Sequence, residues 1–431
     1  MLAFLGFITI AILLALVMTK RASVVVALIV VPIITALIGG FGTDIAGFMT
    51  NGIRSIAPTG VMFIFAILFF GILTDAGTFN PIIDKILKIV GKDPVKIAMG
   101  TAVLGMLVHL DGSGATTFLI AIPALLPLYD ALGMRRTTLA TIVALSAGTM
   151  NVLPWGGPTI RAATAMEISV TELFNPLLIP VLIGLATVVF VAFLLGKQER
   201  KRIGDGSDVD VTQTSEKDEK KAELERPKLF PINLLMIVLA VTALISGFLP
   251  AQVVFMIAFA VALVVNYPNV KDQRERIDAH AKASLMMASI LFAAGAFTGI
   301  LSGTGMITAM AETAVEAIPT TLGARIPLLT GVISMPASLL FDPDSFYFGV
   351  LPVLSSTAAQ FGVDPVSVGR AAILGQMTTG FPVSPLTGAT FLLIGLTGVD
   401  LGDHQRKTIP YAFLVTIVML VISVVMGVIP I

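Results

Sequence analysis

Cysteine is absent from this chain of 431 residues, and charged residues make up only 13% of it. Without cysteine there are no disulfides and no thiolate metal sites, so any metal chemistry falls to oxygen or imidazole ligands. Soluble domains carry about 25% charged residues. The shortage here, with 56% hydrophobic residues and a mean hydropathy of +0.96, points to a membrane protein. Phosphate-cradling glycine loops are also missing, which leaves direct ATP drive unsupported. The 27 basic and 27 acidic residues cancel, so net charge says nothing about partners.

Apolar runs long enough to cross about 30 Å of hydrocarbon occupy 2–18, 22–40, 59–77, 175–195, 229–248, 251–266, 284–304 and 408–430. The first lacks the basic flank and small-residue cleavage site of a signal peptide, so it reads as a spanning helix. The stretches 137–168 and 366–398 are also long enough to cross, but Gly and Pro interrupt them midway, as in discontinuous helices. In 97–129 and 326–360, two apolar arms of about half-membrane length flank a polar tip, which suits a re-entrant hairpin. The expected fold is all-α, with ten spans and two hairpins.

The polar interruptions come in matching pairs. The first half has His109-Leu110-Asp111-Gly112-Ser113-Gly114-Ala115-Thr116-Thr117, then Asn151-Val152-Leu153-Pro154-Trp155-Gly156-Gly157-Pro158-Thr159. The second has Phe341-Asp342-Pro343-Asp344-Ser345, then Thr378-Thr379-Gly380-Phe381-Pro382-Val383-Ser384-Pro385-Leu386-Thr387. Polar backbone at membrane depth survives only inside protein or beside water, so each break is a candidate binding surface. Asp111, Pro123, Gly133 and Pro154 are spaced by 12, 10 and 21 residues, and Asp342, Pro352, Gly362 and Pro382 by 10, 10 and 20. This is an internal repeat of punctuation, and such pairs mark secondary transporters.

Basic residues collect in cytoplasmic loops. With the N-terminus outside, the inside segments 19–21, 78–96, Arg135-Arg136, 196–228, 267–283 and 399–407 hold 23 of the 27 Lys and Arg, leaving Arg54, Arg161, Arg325 and Arg370. One span more or fewer would place some of these clusters outside, so the asymmetry supports ten spans with both termini extracytoplasmic. Five crossings per half is an odd number, which inverts the second repeat relative to the first. The domains are therefore 1–196, a charged cytoplasmic linker at 197–228, and 229–431. The linker has too little apolar surface to offset the entropy of ordering it.

Several residue types in the breaks suit a carboxylate cargo. Half-helix N-termini aim N–H groups and partial positive charge at an anion. Gly112, Gly114, Gly156 and Gly157 permit close backbone approach, and Ser113, Thr116, Thr117, Thr159, Ser345, Thr378, Thr379, Ser384 and Thr387 add hydroxyls, with an amide from Asn151. The alternative for each small or hydroxyl residue is close helix packing. Arg161 can grip a carboxylate bidentately, snorkel outward or pair with Glu167. Trp155 lies inside the first break, where it walls the site or covers the cargo.

Asp111, Asp342 and Asp344 repel a bare anion, and carboxylates at membrane depth are normally retained for function. Either a divalent cation shared between cargo and protein, or a proton on the carboxyl, resolves the repulsion. The third possibility is that each Asp only caps a half-helix, which Asp342-Pro343 fits well. His109, two residues before Asp111, forms a candidate proton-coupling pair with it, or else is a neutral ring bonded to backbone. His280 and His404 fall in cytoplasmic loops and need no role. Asp75 falls at the membrane interface, and Glu312, Glu316 and Arg325 on an amphipathic stretch outside the membrane.

The hairpin tip followed by a broken helix, repeated inverted, resembles the ion transporter superfamily. More narrowly, His109 to Phe118 and Asn151 to Thr159 are similar to the citrate-metal:proton symporter family, the bacterial carriers of Mg²⁺- or Ca²⁺-citrate. That resemblance, which covers nearly the whole chain, implies proton-coupled uptake of a citrate-metal complex across the plasma membrane by an elevator motion in a homodimer. The metal travels with the cargo; no permanently bound cofactor and no nucleic acid partner are expected. Gluconate, dicarboxylate and cation/proton carriers are the alternatives on the same plan. An antiporter would leave Arg161 idle, and a plain carboxylate carrier would leave the Asp residues unexplained. An intramembrane aspartyl protease needs a Gly-x-Gly-Asp partner for Tyr129-Asp130, and none exists, so an enzyme is not expected.

Overall fold

The computed structural model describes residues 1–19, 21–203 and 223–431, and among them every regular element is helical. In the first half α1 (Leu2–Met18), α2 (Val24–Ile38) and the long α3 (Ile45–Asp75) lead to a short amphipathic α4 (Asn80–Val90). The first hairpin follows as α5 (Pro94–Val108) and α6 (Gly114–Ala131), then a helix broken into α7 (Arg136–Met150) and α8 (Gly157–Ala165), a single turn α9 (Val170–Phe174), and α10 (Leu178–Ile203). The second half repeats this order. α11 (Phe230–Ser246), α12 (Ala251–Asn266), the long α13 (Val270–Gly303) and α14 (Met306–Ala317) precede a short α15 (Thr320–Gly323). Then come the second hairpin, α16 (Ile326–Ala337) and α17 (Leu351–Gln360), a second broken helix, α18 (Pro365–Ile373) and α19 (Gly388–Thr397), and α20 (Leu401–Val425).

Aspartate caps punctuate the chain. Asp93, Asp364 and Asp400 each accept a backbone N–H at the start of a helix, at 2.9, 3.0 and 2.8 Å. The first two stand before a proline, whose missing N–H and fixed φ suit a first turn. Among the described residues, seven helical segments, counted with the short turns adjoining α5, α10 and α11, are at least 18 residues long and apolar enough to cross a bilayer, and shorter apolar helices include 2–17, 24–38 and 251–266. Outward-facing Val26, Val30 and Ile34 on α2, and Leu235, Val238 and Leu239 on α11, are exposed. A lipid solvent makes that arrangement favourable.

The helices sort into two bodies, bridged where α14 packs on α17 of the second hairpin. α3 packs along α13 and α12, α2 against α13, and α1 against α14. The other body gathers both hairpins, both broken helices, α10 and α20: α5 lies on α10 and α7, α16 on α18, and α20 on α7, α10 and α16. In the first body backbones approach closely, since a Cβ on Gly299 would strike Gly52 at 2.9 Å, and one on Gly52 would strike Gly299 at 2.8 Å.

Several boundaries differ from those read in the sequence. α3 begins at Ile45 and α13 at Val270, each more than ten residues before the apolar run. Polar residues sit on the exposed side of these helices, Arg54 among them, so low hydropathy did not end the helix. His280 and His404 are therefore helical rather than in loops. The first hairpin's segments 94–111 and 114–131 are 18 residues each, roughly 27 Å at 1.5 Å per residue, longer than half a membrane. Exposed Lys96 and Asp130 carry their outer turns toward water. Of the proposed linker, 197–203 belongs to α10, whose closing Arg200, Lys201 and Arg202 suit the negative end of a helix. At its other end Glu225 accepts from Asn80 at 2.8 Å and Leu224 from the Tyr267 hydroxyl at 3.0 Å. Its middle, 204–222, lies outside the described residues.

Candidate functional site

All four polar breaks line one cavity of about 810 Å³. The first hairpin tip contributes Gly112 and Gly114, the first broken helix Asn151, Gly157, Pro158 and Arg161, the second tip Asp342, Pro343 and Asp344, and the second break Met377, Phe381 and Pro385 to Ala389. That volume lies within the roughly 300–1,000 Å³ range of small-molecule sites. A second chamber of about 330 Å³ is bordered by Asp111, Ser113, Thr116, Trp155 and His280, and shares Phe63, Gly112 and Met287 with the first.

Local chemistry explains how the breaks survive at membrane depth. After Met150 the chain turns, with Gly156 N–H donating to Leu153 O at 2.7 Å and the Thr159 hydroxyl to Val152 O at 2.7 Å. A side chain on Gly156 would collide with the carbonyls of Asn151 and Leu153, so this glycine makes the turn possible. In the second break Pro382 and Pro385 offer no N–H. The Thr387 and Thr390 hydroxyls both donate to Phe381 O, at 3.0 and 3.2 Å. Hydroxyls beside a broken helix thus satisfy carbonyls that would otherwise be buried unpaired.

The breaks are tied to one another as well. Asn151 Nδ2 donates to Met377 O at 2.9 Å, and Trp155 Nε1 to Leu110 O at 2.8 Å. Phe118 stacks on Phe381 with ring centroids 6.1 Å apart. Met377 N–H donates to Ser338 Oγ at 2.8 Å, and the Tyr347 hydroxyl to Gln376 O at 2.6 Å. Trp155 also stacks on Phe70 of α3, centroids 5.4 Å apart, which places the indole between the two bodies.

The charged groups are arranged unequally. Arg161 Nε donates to Asp344 Oδ1 at 2.6 Å, so its partner is neither Glu167 nor solvent. Asp342 caps the second arm: its Oδ1 accepts from the N–H groups of Asp344 and Ser345, both at 3.0 Å, and Oδ2 from the Ser345 hydroxyl. Asp111 closes a tight turn by accepting Ser113 N–H at 2.8 Å, and Ser113 caps α6 by accepting Thr116 N–H at 3.3 Å. His109 is fully buried, with Nδ1 2.8 Å from the Thr117 hydroxyl and no hydrogen-bond partner for Nε2 among the described residues.

Of the residues singled out in the sequence, Gly114, Asn151, Gly157, Arg161, Asp342, Asp344 and Thr387 meet in the larger cavity, and Asp111, Ser113 and Thr116 in the smaller. Gly156, Thr159, Ser345, Thr378, Thr379 and Ser384 line neither. Thr379 bonds Thr416, Ser384 donates to Ser338 O, and the buried Thr378 hydroxyl has no partner among the described residues. Asp111 borders the smaller chamber and the other two carboxylates the larger, and the described residues contain no group of three His, Asp or Glu able to hold a metal ion. His404 is buried, its Nε2 2.8 Å from Pro382 O, and His280 lies 2.9 Å from Asp75, which also receives Arg276 at 3.1 Å. Met377, Phe63 and Met287 escaped the sequence reading, and His280, read as a loop residue without a role, borders the smaller chamber. Phe63 and Met287 sit in apolar helices with nothing to set them apart, and the backbone shape of Met377 has no signature in its residue type.

A model of the CitMHS citrate transporter family matches residues 7–375. The chain is 49% identical over 429 residues to a citrate transporter of Bacillus subtilis strain 168, covering all of both chains. It is 46% identical over 436 residues to a Mg²⁺/citrate complex secondary transporter of the same organism, again end to end. Among solved structures, the YdaH transporter of Alcanivorax borkumensis shares the fold at a TM-score of 0.61, with 14% identity over 90% of this chain and 87% of that one. MtrF of Neisseria gonorrhoeae does so at 0.57, with 12% identity over 90% and 84%.

Proposed function

This chain belongs to the citrate transporter family, and from that premise we propose that it is a secondary active carrier importing citrate as a complex with Mg²⁺ or Ca²⁺, driven by protons. The observation that carries this reading is the presence of a guanidinium and two carboxylates, Arg161, Asp342 and Asp344, in one cavity. A pocket for bare citrate has no use for Asp344, and a pocket for a bare cation has no use for Arg161. Hard divalent cations take six or more oxygen ligands. The cavity supplies only a few, so citrate itself furnishes the rest.

The remaining parts of the reading rest on the Lys and Arg distribution and on the family resemblance. The Lys and Arg distribution supports an orientation with both termini extracytoplasmic, and the family resemblance supports a plasma membrane location. The division into two bodies, with all four breaks gathered in one and residues such as Phe63 and Met287 of the other facing them across the cavity, supports an elevator motion of the hairpin body, in a homodimer held by the other. Asp111 and His109, in the turn of the first tip, are the proton-coupling candidates.

Uptake of labelled citrate into proteoliposomes tests the proposal. Uptake is expected to require Mg²⁺ or Ca²⁺, to stop in excess EDTA, and to accelerate with an inward proton gradient. Undiminished uptake in EDTA overturns the complex-carrier reading, and indifference to the gradient overturns proton coupling.

A further inference from the structure

We propose that the Arg161–Asp344 ion pair is a lock that the cargo must open from both ends at once: the metal ion takes over Asp344 while a citrate carboxylate takes over Arg161. The inference rests on the metal-citrate reading above and adds what makes the complex obligatory.

The pair is enclosed, with side-chain exposures of 9% for Arg161 and 10% for Asp344. It lines the cavity and joins the two halves of the chain, since Arg161 lies in α8 and Asp344 at the tip of the second hairpin, 183 residues later. The contact uses one nitrogen, Nε, rather than the two-pronged geometry that guanidinium and carboxylate favour. The other nitrogens are weakly engaged: Nη1 donates to Gly157 O at 3.2 Å, and among the described residues Nη2 meets only the thioether of Met287 at 3.7 Å. A thioether is a poor acceptor, so Nη2 retains donor capacity for an oxygen that enters the cavity.

The two carboxylates at this tip differ in availability. Asp342 is occupied by three donors of its own turn. Arg161 is the one hydrogen-bond partner of the Asp344 carboxylate among the described residues. A ligand that displaces Arg161 thereby frees Asp344 without unfolding the tip.

Charge then decides what can bind. Free citrate drawing Arg161 away would strand a buried carboxylate, and a free cation captured by Asp344 would strand a buried guanidinium. An enclosed charge without its partner is strongly unfavourable. A complex presenting metal on one side and carboxylate on the other leaves both groups paired. Metal and citrate therefore raise each other's affinity, as linkage requires of coupled ligands. This holds although no protein cluster grips the metal alone.

Binding to purified protein tests the lock, read by emission of the single Trp155 and by thermal shift, with Mg²⁺ alone, citrate in EDTA, or both. Wild type should respond only to both together. Asp344→Asn frees Arg161 and should bind citrate in EDTA more tightly than wild type, by roughly tenfold, within the usual range of coupling between sites. Arg161→Gln should gain a comparable response to Mg²⁺ alone. The double variant leaves no lone buried charge, so it remains testable if either single variant fails to fold, and it should lose the mutual dependence of the two ligands. If wild type binds citrate equally well in EDTA, the metal-complex reading itself fails. If wild type needs both ligands and the variants that fold need both to the same degree, the lock alone is overturned.

Discussion

The Asn151 side-chain amide donates to the Met377 carbonyl at 2.9 Å, joining two helix breaks that lie 226 residues apart. Met377 is held in the left-handed region with φ of +52°, and its N–H is taken by Ser338. Its backbone thus has a fixed partner on each side. Local strain of this kind persists only where surrounding contacts over-determine it. Asn151→Ala leaves the Met377 carbonyl buried without a donor, and should destabilise the protein by about 1–3 kcal/mol. Asn151→Asp should behave alike, because an ionised carboxylate cannot donate. Thermal unfolding in detergent measures both, and wild-type stability in either would show that the bond does not hold the breaks together.

The left-handed conformation costs an L-residue roughly 1–2 kcal/mol. Met377→Gly removes that strain at the expense of a buried side chain, whereas Met377→Val keeps a side chain of the least tolerant, β-branched kind. Gly should therefore be clearly the more stable of the two. The reverse order would mean that side-chain packing, not backbone shape, governs the position.

Gly52 and Gly299 set the approach of α3 to α13. Gly299→Leu should force the pair apart and cost at least about 1–3 kcal/mol, the usual penalty for overpacking. Gly395, inside α19 with open space around it, is the control. Gly395→Ala should be neutral or gain up to about 1 kcal/mol from helix propensity. Yield of folded protein and thermal midpoint report both.

Asp111→Asn separates the two roles of that residue. The amide oxygen can still accept the Ser113 N–H, so the hairpin tip keeps its turn, but the carboxyl proton is gone. Uptake in the variant should lose its response to a proton gradient while binding of the metal-citrate complex persists. A retained gradient response would move the coupling proton elsewhere, with buried His109 the next position to vary.

Trp155 is the only tryptophan of the chain, and its indole is bonded to the first hairpin tip and stacked on α3. Movement of the hairpin body past α3 must change that environment. Its emission should shift when the metal-citrate complex is added, and Trp155→Phe should abolish the signal. No change in the wild-type spectrum on saturation would mean that the tip and α3 stay in register throughout binding.

The sequence by itself determined the solvent and the frame. Apolar length, scarce charge and the placement of Lys and Arg require a helical membrane protein, and the paired Gly and Pro breaks mark where four segments stop being regular helix. Those are local properties, set by each residue's own hydropathy and backbone preference. Which group each functional side chain meets is not local. Glu167, six residues from Arg161, was the partner at hand, yet the fold brings Asp344 to it from 183 positions away. Thr379 and Ser384 read as donors to cargo, but they are bonded to Thr416 and Ser338, because helices broken inside a bilayer must first satisfy their own polar groups. Only tertiary structure places Asp111 in a different chamber from Asp342 and Asp344, since that depends on how two half-chains close around one space.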